Sequence, residues 1–264
     1  MRHAASVVRT CLTACAAVGM TAAALTGCGG TLTAATDRAR DASPSRSSAE
    51  PGDPIPGPGQ RSPGTRPTRH AIPGIGPHTM RQIPKRTTQV LVSATETKTG
   101  SRAHTTMYRL VADGTWKAVD DWPGHNGKNG WKKHRSVGDA TTPIGVFGLT
   151  DAGGYLANPG TKLSYDRDPA YRSAAAATYG DSFKKVFNYL IAINFNRVAG
   201  SKPTDSRHPH GAARGGKIWL HVDHHSPTHG CITLPQSGMK FLLTHLDPKA
   251  RPVIVTGPKP VISR

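Results

Sequence analysis

Histidine and cysteine crowd into one stretch of this 264-residue chain, Lys217-Ile218-Trp219-Leu220-His221-Val222-Asp223-His224-His225-Ser226-Pro227-Thr228-His229-Gly230-Cys231-Ile232-Thr233-Leu234-Pro235. An apolar run delivers His221, a polar loop turns at Ser226-Pro227, and His229-Gly230-Cys231 leads back into apolar chain. A thiol at its ordinary pKa is mostly protonated at neutral pH and becomes a nucleophile when an imidazole or a positive field favours the thiolate. His221 on a strand could face Cys231 across the loop as general base. Gly230 lets the backbone approach a reacting carbonyl without a Cβ in the way. N–H groups around Gly230 and Cys231 could point at a developing oxyanion. These are the parts of acyl transfer. Two other readings stand beside it. Cys231 could be a buried structural thiol among core histidines. Alternatively His208, His210, His221, His224, His225, His229 and Cys231 could offer mixed ligands to zinc, although no HExxH or CxxC spacing occurs and no metal is expected.

The elements that must position these residues begin only in the second third of the chain. Val90-Leu91-Val92 and Met107 to Val111 read as strands, and Asp113-Gly114 followed by Thr115 to Val119 reads as a hairpin. Further strands are predicted at 144–149, 189–195, 217–222 and 252–256. Met239, Leu242, Leu243 and Leu246 recur at helical spacing after Pro235. A second helix is expected around 181–188. Many short strands with one or two short helices predict a mostly β, mostly antiparallel fold.

Upstream, ten of the 22 prolines lie between Pro44 and Pro84, and no Phe, Trp or Tyr precedes Tyr108. Such chain cannot assemble a core and reads as a disordered, basic tether. Residues 1–27 read as an export signal, with Arg2 and Arg9 before an Ala-rich apolar run. Leu25-Thr26-Gly27-Cys28 resembles a bacterial lipobox, in which Cys28 is acylated and anchors the chain to the membrane. Cys11 and Cys15 leave with the signal and Cys28 carries lipid, so of the four cysteines only Cys231 stays a free thiol. Domain bounds follow: signal 1–27, tether 28–86, catalytic domain 87–258 and a short tail 259–264. The net charge of +18 favours an anionic partner. On an exported, lipidated chain that means wall polymers or lipid headgroups rather than nucleic acid.

With those residues in view, the chain resembles the L,D-transpeptidase catalytic-domain (YkuD-like) family, in its actinobacterial lipoprotein branch. His221 and Thr228-His229-Gly230-Cys231 are similar to that family's signature. So are Asn126 to Gly130, Gly138 to Phe147, Pro159 to Leu163 and Asn194-Phe195-Asn196. The similarity runs from about Thr87 to Gly257. Thr233 departs from the family, which more often places Arg, Asn or Ser there, and the ten-residue step from His221 to Cys231 is short. The resemblance implies a β-sandwich domain acting without a cofactor, as a monomer, on peptidoglycan stem peptides during wall biogenesis and cell shaping. Cys231 would be the nucleophile and His221 the base and then acid. The Val222 carbonyl would orient His221, His229 would shape the thiol's surroundings, and Gly230 would contribute to the oxyanion hole. Thr141, Thr142, Pro143, Asn194 and Thr233 are candidates to contact substrate. Cleavage before the terminal D-Ala followed by transfer to an amine gives a 3→3 cross-link. An L,D-carboxypeptidase with the same site and a non-catalytic wall-binding lipoprotein are the alternatives.

Overall fold

The computed structural model describes residues 68–264. The expected signal peptide, the Cys28 lipidation site and the first part of the tether lie outside the described residues. Among the described residues, no helix is long and apolar enough to cross a membrane.

The strands are β1 (Gln89–Thr95), β2 (His104–Leu110), β3 (Trp116–Pro123), β4 (Trp131–Lys132), β5 (Thr142–Pro143), β6 (Gly145–Gly154), β7 (Ser164–Arg167), β8 (Leu190–Ile193), β9 (Trp219–Val222), β10 (Ile232–Leu234) and β11 (Val253–Pro258). Among the described residues, four α-helices join them: α1 (Pro77–Gln82), α2 (Ala170–Tyr179), α3 (Gln236–His245) and α4 (Lys259–Ile262). The fold is mostly β. Nine strands form one sheet in the order β10-β9-β8-β6-β11-β1-β2-β3, with β7 beside β6. The sheet is mostly antiparallel, as expected, with three parallel pairings among its eight: β1·β11, β9·β10 and β6·β7. Its two ends nearly meet: the Thr233 N–H of β10 donates to the His125 carbonyl just past β3, at 2.8 Å. The main core therefore draws on both ends, with Leu91, Met107 and Trp122 packed in one cluster with Leu220, Ile232 and Leu234.

Period-two alternation decides which side chains reach this core. On β9, Leu220 and Val222 enter it, while Trp219 belongs to a second cluster with Tyr171 and Ala175 of α2. His221 shares the Trp219 face. α3 buries Met239, Leu242 and Leu243, and its C-cap Leu246 is buried with them, as the spacing predicts. The hairpin turn also forms as read, with Asp113 Oδ1 accepting from the Thr115 N–H at 2.8 Å and Gly114 at φ +86°.

Three expectations change. The helix expected at 181–188 is only a 3-10 turn at Asp181–Phe183, and the real helix is α2, ten residues earlier, where a run of alanines gave little apolar period. Residues 68–86 are not tether: Ile72, Ile75 and Ile83 are buried against Val90, Val253 and Val255 on the outer face of β1 and β11. The 259–264 tail is docked too, with Ile262 buried and its carbonyl accepting from the Gly76 N–H at 3.0 Å. Both stretches are short and rich in proline. Each contributes only a few apolar contacts, to a face that the strands alone leave uncovered.

Candidate active site

The crossover from β9 to β10 fixes the site. Because the two strands run parallel with Ile232 opposite Leu220, Cys231 lies beside Trp219, not across a hairpin from His221. Its Sγ accepts from the Trp219 N–H at 3.4 Å and donates to the Lys217 carbonyl at 3.7 Å. His221 lies two residues further along β9, roughly 6–7 Å on by strand geometry.

His221 is fully buried. Its Nδ1 lies 3.0 Å from the Val222 carbonyl, so Nδ1 carries the proton and Nε2 is left as an acceptor. The Tyr179 hydroxyl, at the end of α2, sits 3.4 Å from that Nε2. Burial lowers the imidazole to about 4, against the opposing pull of the Val222 carbonyl and the Asp223 charge. Burial also pushes the Cys231 thiol up to about 11, while the Trp219 N–H and the Arg135 charge act downward. The resting pair is thus a neutral imidazole and a neutral thiol.

The turn that carries the cysteine is held on every side. Thr228, fully buried, donates to the Cys231 carbonyl at 2.7 Å and accepts from the Gly230 N–H at 3.0 Å. Thr142 donates to the Gly230 carbonyl at 2.9 Å and accepts from the Gly127 N–H at 2.8 Å. Gly230 has φ +137°, and a Cβ there would stand 2.8 Å from the Thr141 carbonyl. Only glycine fits.

Cys231 opens into a cavity of about 490 Å³, walled by Arg135, Tyr179, Lys217, Ile218 and His229 among others. Ala140 and Lys217, both on its wall, hold left-handed φ values of +53°. Backbone strain of this kind clusters where geometry is over-determined. The Arg135 guanidinium is buried. It donates to the Thr141 carbonyl at 3.0 Å and to the Arg214 carbonyl at 3.1 Å, with Asp139 at 3.6 Å. The Tyr179 ring stacks on exposed His229, at 5.6 Å between centroids and 5° between planes.

Several residues expected here turn out to do other work. The Gly230 N–H is engaged by Thr228 and is not free for an oxyanion. Thr141, Thr142 and Pro143 are buried behind the cavity wall. Thr141 bonds Asp139, Thr142 clamps Gly230, and the Pro143 carbonyl accepts from Thr256. Thr233 is fully buried and bonded to Asp223 and the His125 N–H. Asn194 lies at the far end of β8, accepting from Arg197 at 2.6 Å beside the buried Arg197–Asp151 ion pair. Among the described residues, no three His, Cys, Asp or Glu side chains gather closely enough to hold a metal ion.

The sequence reading missed Arg135 and Tyr179. Arg135 closes a Lys132-Lys133-His134 run that looks like solvated surface, and Tyr179 ends the alanine-rich helix. One signal for Arg135 was its place four residues before Asp139, in the block that carries the resemblance.

A nearly closed, mostly β sheet with a thiol at the wall of a cavity defines a class of small domain able to host thiol chemistry. The family follows from the sequence match: residues 95–255 fit the family model of the L,D-transpeptidase catalytic domain (YkuD), and the chain belongs to that family. Comparison with curated proteins and with solved structures gives no match. The family acts on peptidoglycan stem peptides in the cell wall.

Proposed function

We propose that this chain is a Cys231-dependent L,D-transpeptidase that forms 3→3 cross-links in peptidoglycan. The observation that carries the reading is Cys231 itself, the one free thiol among the described residues, lining the cavity one strand from a histidine whose Nδ1 is already committed to a carbonyl.

In this reading the tetrapeptide stem enters the cavity and Cys231 gives its proton toward the Nε2 of His221. Sγ then bonds to the carbonyl carbon of residue three, and the π pair moves onto oxygen. Collapse of that tetrahedral species breaks the amide bond, and imidazolium returns the proton to the departing D-Ala amine. An amine from a second stem attacks the thioester carbonyl; its nitrogen loses a proton to His221, the C–S bond breaks as the new amide forms, and the proton passes to the departing Cys231 sulfur. Burial keeps His221 neutral at rest, with Nε2 left to accept a proton. The Val222 carbonyl stabilises imidazolium only while it exists.

Acylated Cys28 and the following basic chain would anchor the domain at the outer face of the membrane, with reach into the wall.

The test is muropeptide analysis by mass spectrometry after incubation with purified tetrapeptide stems. The reading expects 3→3 dimers and released D-Ala from the native chain, and neither from Cys231→Ala. Tripeptide alone, without dimers, replaces the reading with a carboxypeptidase. Products unchanged in Cys231→Ala overturn it.

A further inference from the structure

We propose that Arg135 is a catalytic residue of this site, its guanidinium supplying the positive field that holds the Cys231 thiolate and then the carbonyl oxygen as charge develops there. The inference rests on the reading of Cys231 as nucleophile.

An acyl transfer at Cys231 creates negative charge twice, first on sulfur and then on the former carbonyl oxygen. That charge needs donors already in place. The Gly230 N–H, adjacent in sequence, is consumed by Thr228 at 3.0 Å. The Gly230 carbonyl is turned away and pinned by Thr142. Of the two cationic side chains on this cavity wall, Lys217 is exposed and Arg135 is buried. Its Nη2 stands 3.4 Å from where a Cβ on Gly230 would be, so the missing side chain of Gly230 leaves the guanidinium in contact with the turn that bears the thiol. Arg135 lines the same cavity as Cys231, and the charge of each acts on the other.

The guanidinium is also preorganised. Nε and Nη1 are fixed by the Thr141 and Arg214 carbonyls, and these bonds hold the plane without neutralising it. Asp139 forms an ion pair with Nη2 at 3.6 Å, and its charge is shared with Lys132, the N–H groups of Ser136 and Thr141 and the Thr141 hydroxyl, so it offsets the guanidinium only in part. Asp139 is held to about 2 mainly by those bonds, acting against its own desolvation. The other titratable groups on this cavity wall are Tyr179, Lys217 and His229. Lys217 and His229 are exposed, so solvent and salt screen them more than Arg135. In a buried setting a unit charge at this range changes the ionisation of a neighbour by an order of magnitude or more.

The test reads charge at Cys231 rather than turnover. The native chain is alkylated with iodoacetate, an anion, and with iodoacetamide, which is neutral, at one pH, and the rate ratio is compared with that of the urea-unfolded chain. Loss of access slows both reagents alike, whereas a positive field favours the anion. The expected result is a ratio about tenfold above the unfolded value, returning to it in Arg135→Met and largely kept in Arg135→Lys. A native ratio equal to the unfolded one overturns the inference, as does an unchanged ratio in a folded Arg135→Met. If Arg135→Met does not fold, the native ratio and that of Arg135→Lys decide: both raised supports the inference, either at the unfolded value overturns it. Loss of stem turnover in Cys231→Ala together with a charge-blind thiol discards Arg135 alone. Retained turnover in Cys231→Ala discards the nucleophile reading instead.

Discussion

Replacing Thr142 with valine tests whether this residue touches substrate or builds the site. Valine keeps the shape of threonine but not its hydroxyl. Thr142 is fully buried, and its hydroxyl joins the Gly230 carbonyl at 2.9 Å to the Gly127 N–H at 2.8 Å. Without it, two buried backbone groups lose their partner, at about 1–3 kcal/mol each. Thr142→Val should therefore lower the unfolding free energy by about 2–6 kcal/mol, a large share of the stability of an ordinary domain. The freed Gly230–Cys231 peptide should also misplace Sγ. A displacement near 1 Å costs on the order of 100-fold in rate. Thr142→Ser, which keeps the oxygen, should restore most of both. The assays are urea unfolding and steady-state kinetics on a tetrapeptide stem. A raised KM with unchanged kcat and unchanged unfolding free energy would mean that Thr142 contacts substrate and that the clamp described here is wrong.

Acid should destabilise the fold through His221. Burial holds its folded-state pKa at about 4, below the ordinary value, so as pH falls the unfolded chain takes up a proton that the folded chain refuses. Stability present above about pH 6.5 should decline toward pH 4 by on the order of 3 kcal/mol, and His221→Gln should lose this part of the slope in urea titrations at both pH values. Gly230→Ala should lose most turnover and lower the melting temperature, since its Cβ would stand 2.8 Å from the Thr141 carbonyl; a melting curve and rate equal to native would refute the close approach. A chain truncated to begin at Thr87 should be less stable than one beginning at Thr68. It loses Ile72, Ile75 and Ile83 from the outer face of β1, and even Ile75→Ala alone should cost about 2–5 kcal/mol by chemical denaturation.

Much of the fold was legible because its signals are local. β-branched runs, the Asp113-Gly114 turn and the spacing of Met239, Leu242, Leu243 and Leu246 each identify an element without knowledge of its neighbours. Pairing is not local: the sheet is mostly antiparallel as read, but its three parallel pairings left no mark in the sequence. Nothing between His221 and Cys231 distinguishes a hairpin from a parallel return, yet that choice moves Cys231 from beside His221 to beside Trp219. The candidate site divides the same way. Cys231, His221 and Val222 stand in one short segment and could be named together. Arg135 and Tyr179 reach the cavity from loops and helices some 50 to 100 residues away in sequence, and only the fold assembles them. Thr141, Thr142, Thr233 and Asn194 looked like substrate contacts because polar residues near a nucleophile often are. Burial turned the three threonines into partners for backbone and side-chain groups instead, and half-buried Asn194 is engaged by Arg197 and Thr150.

The central claim is that Cys231 becomes covalently bonded to a stem peptide. The most direct measurement is acid-quenched mass spectrometry of the chain shortly after mixing with tetrapeptide stem, followed by peptide mapping. The account predicts an added tripeptidyl mass on the peptide containing Cys231, gone on prolonged incubation with an acceptor amine and never formed in Cys231→Ala. Stem consumed with no adduct on that peptide, or an adduct on another residue, would contradict it.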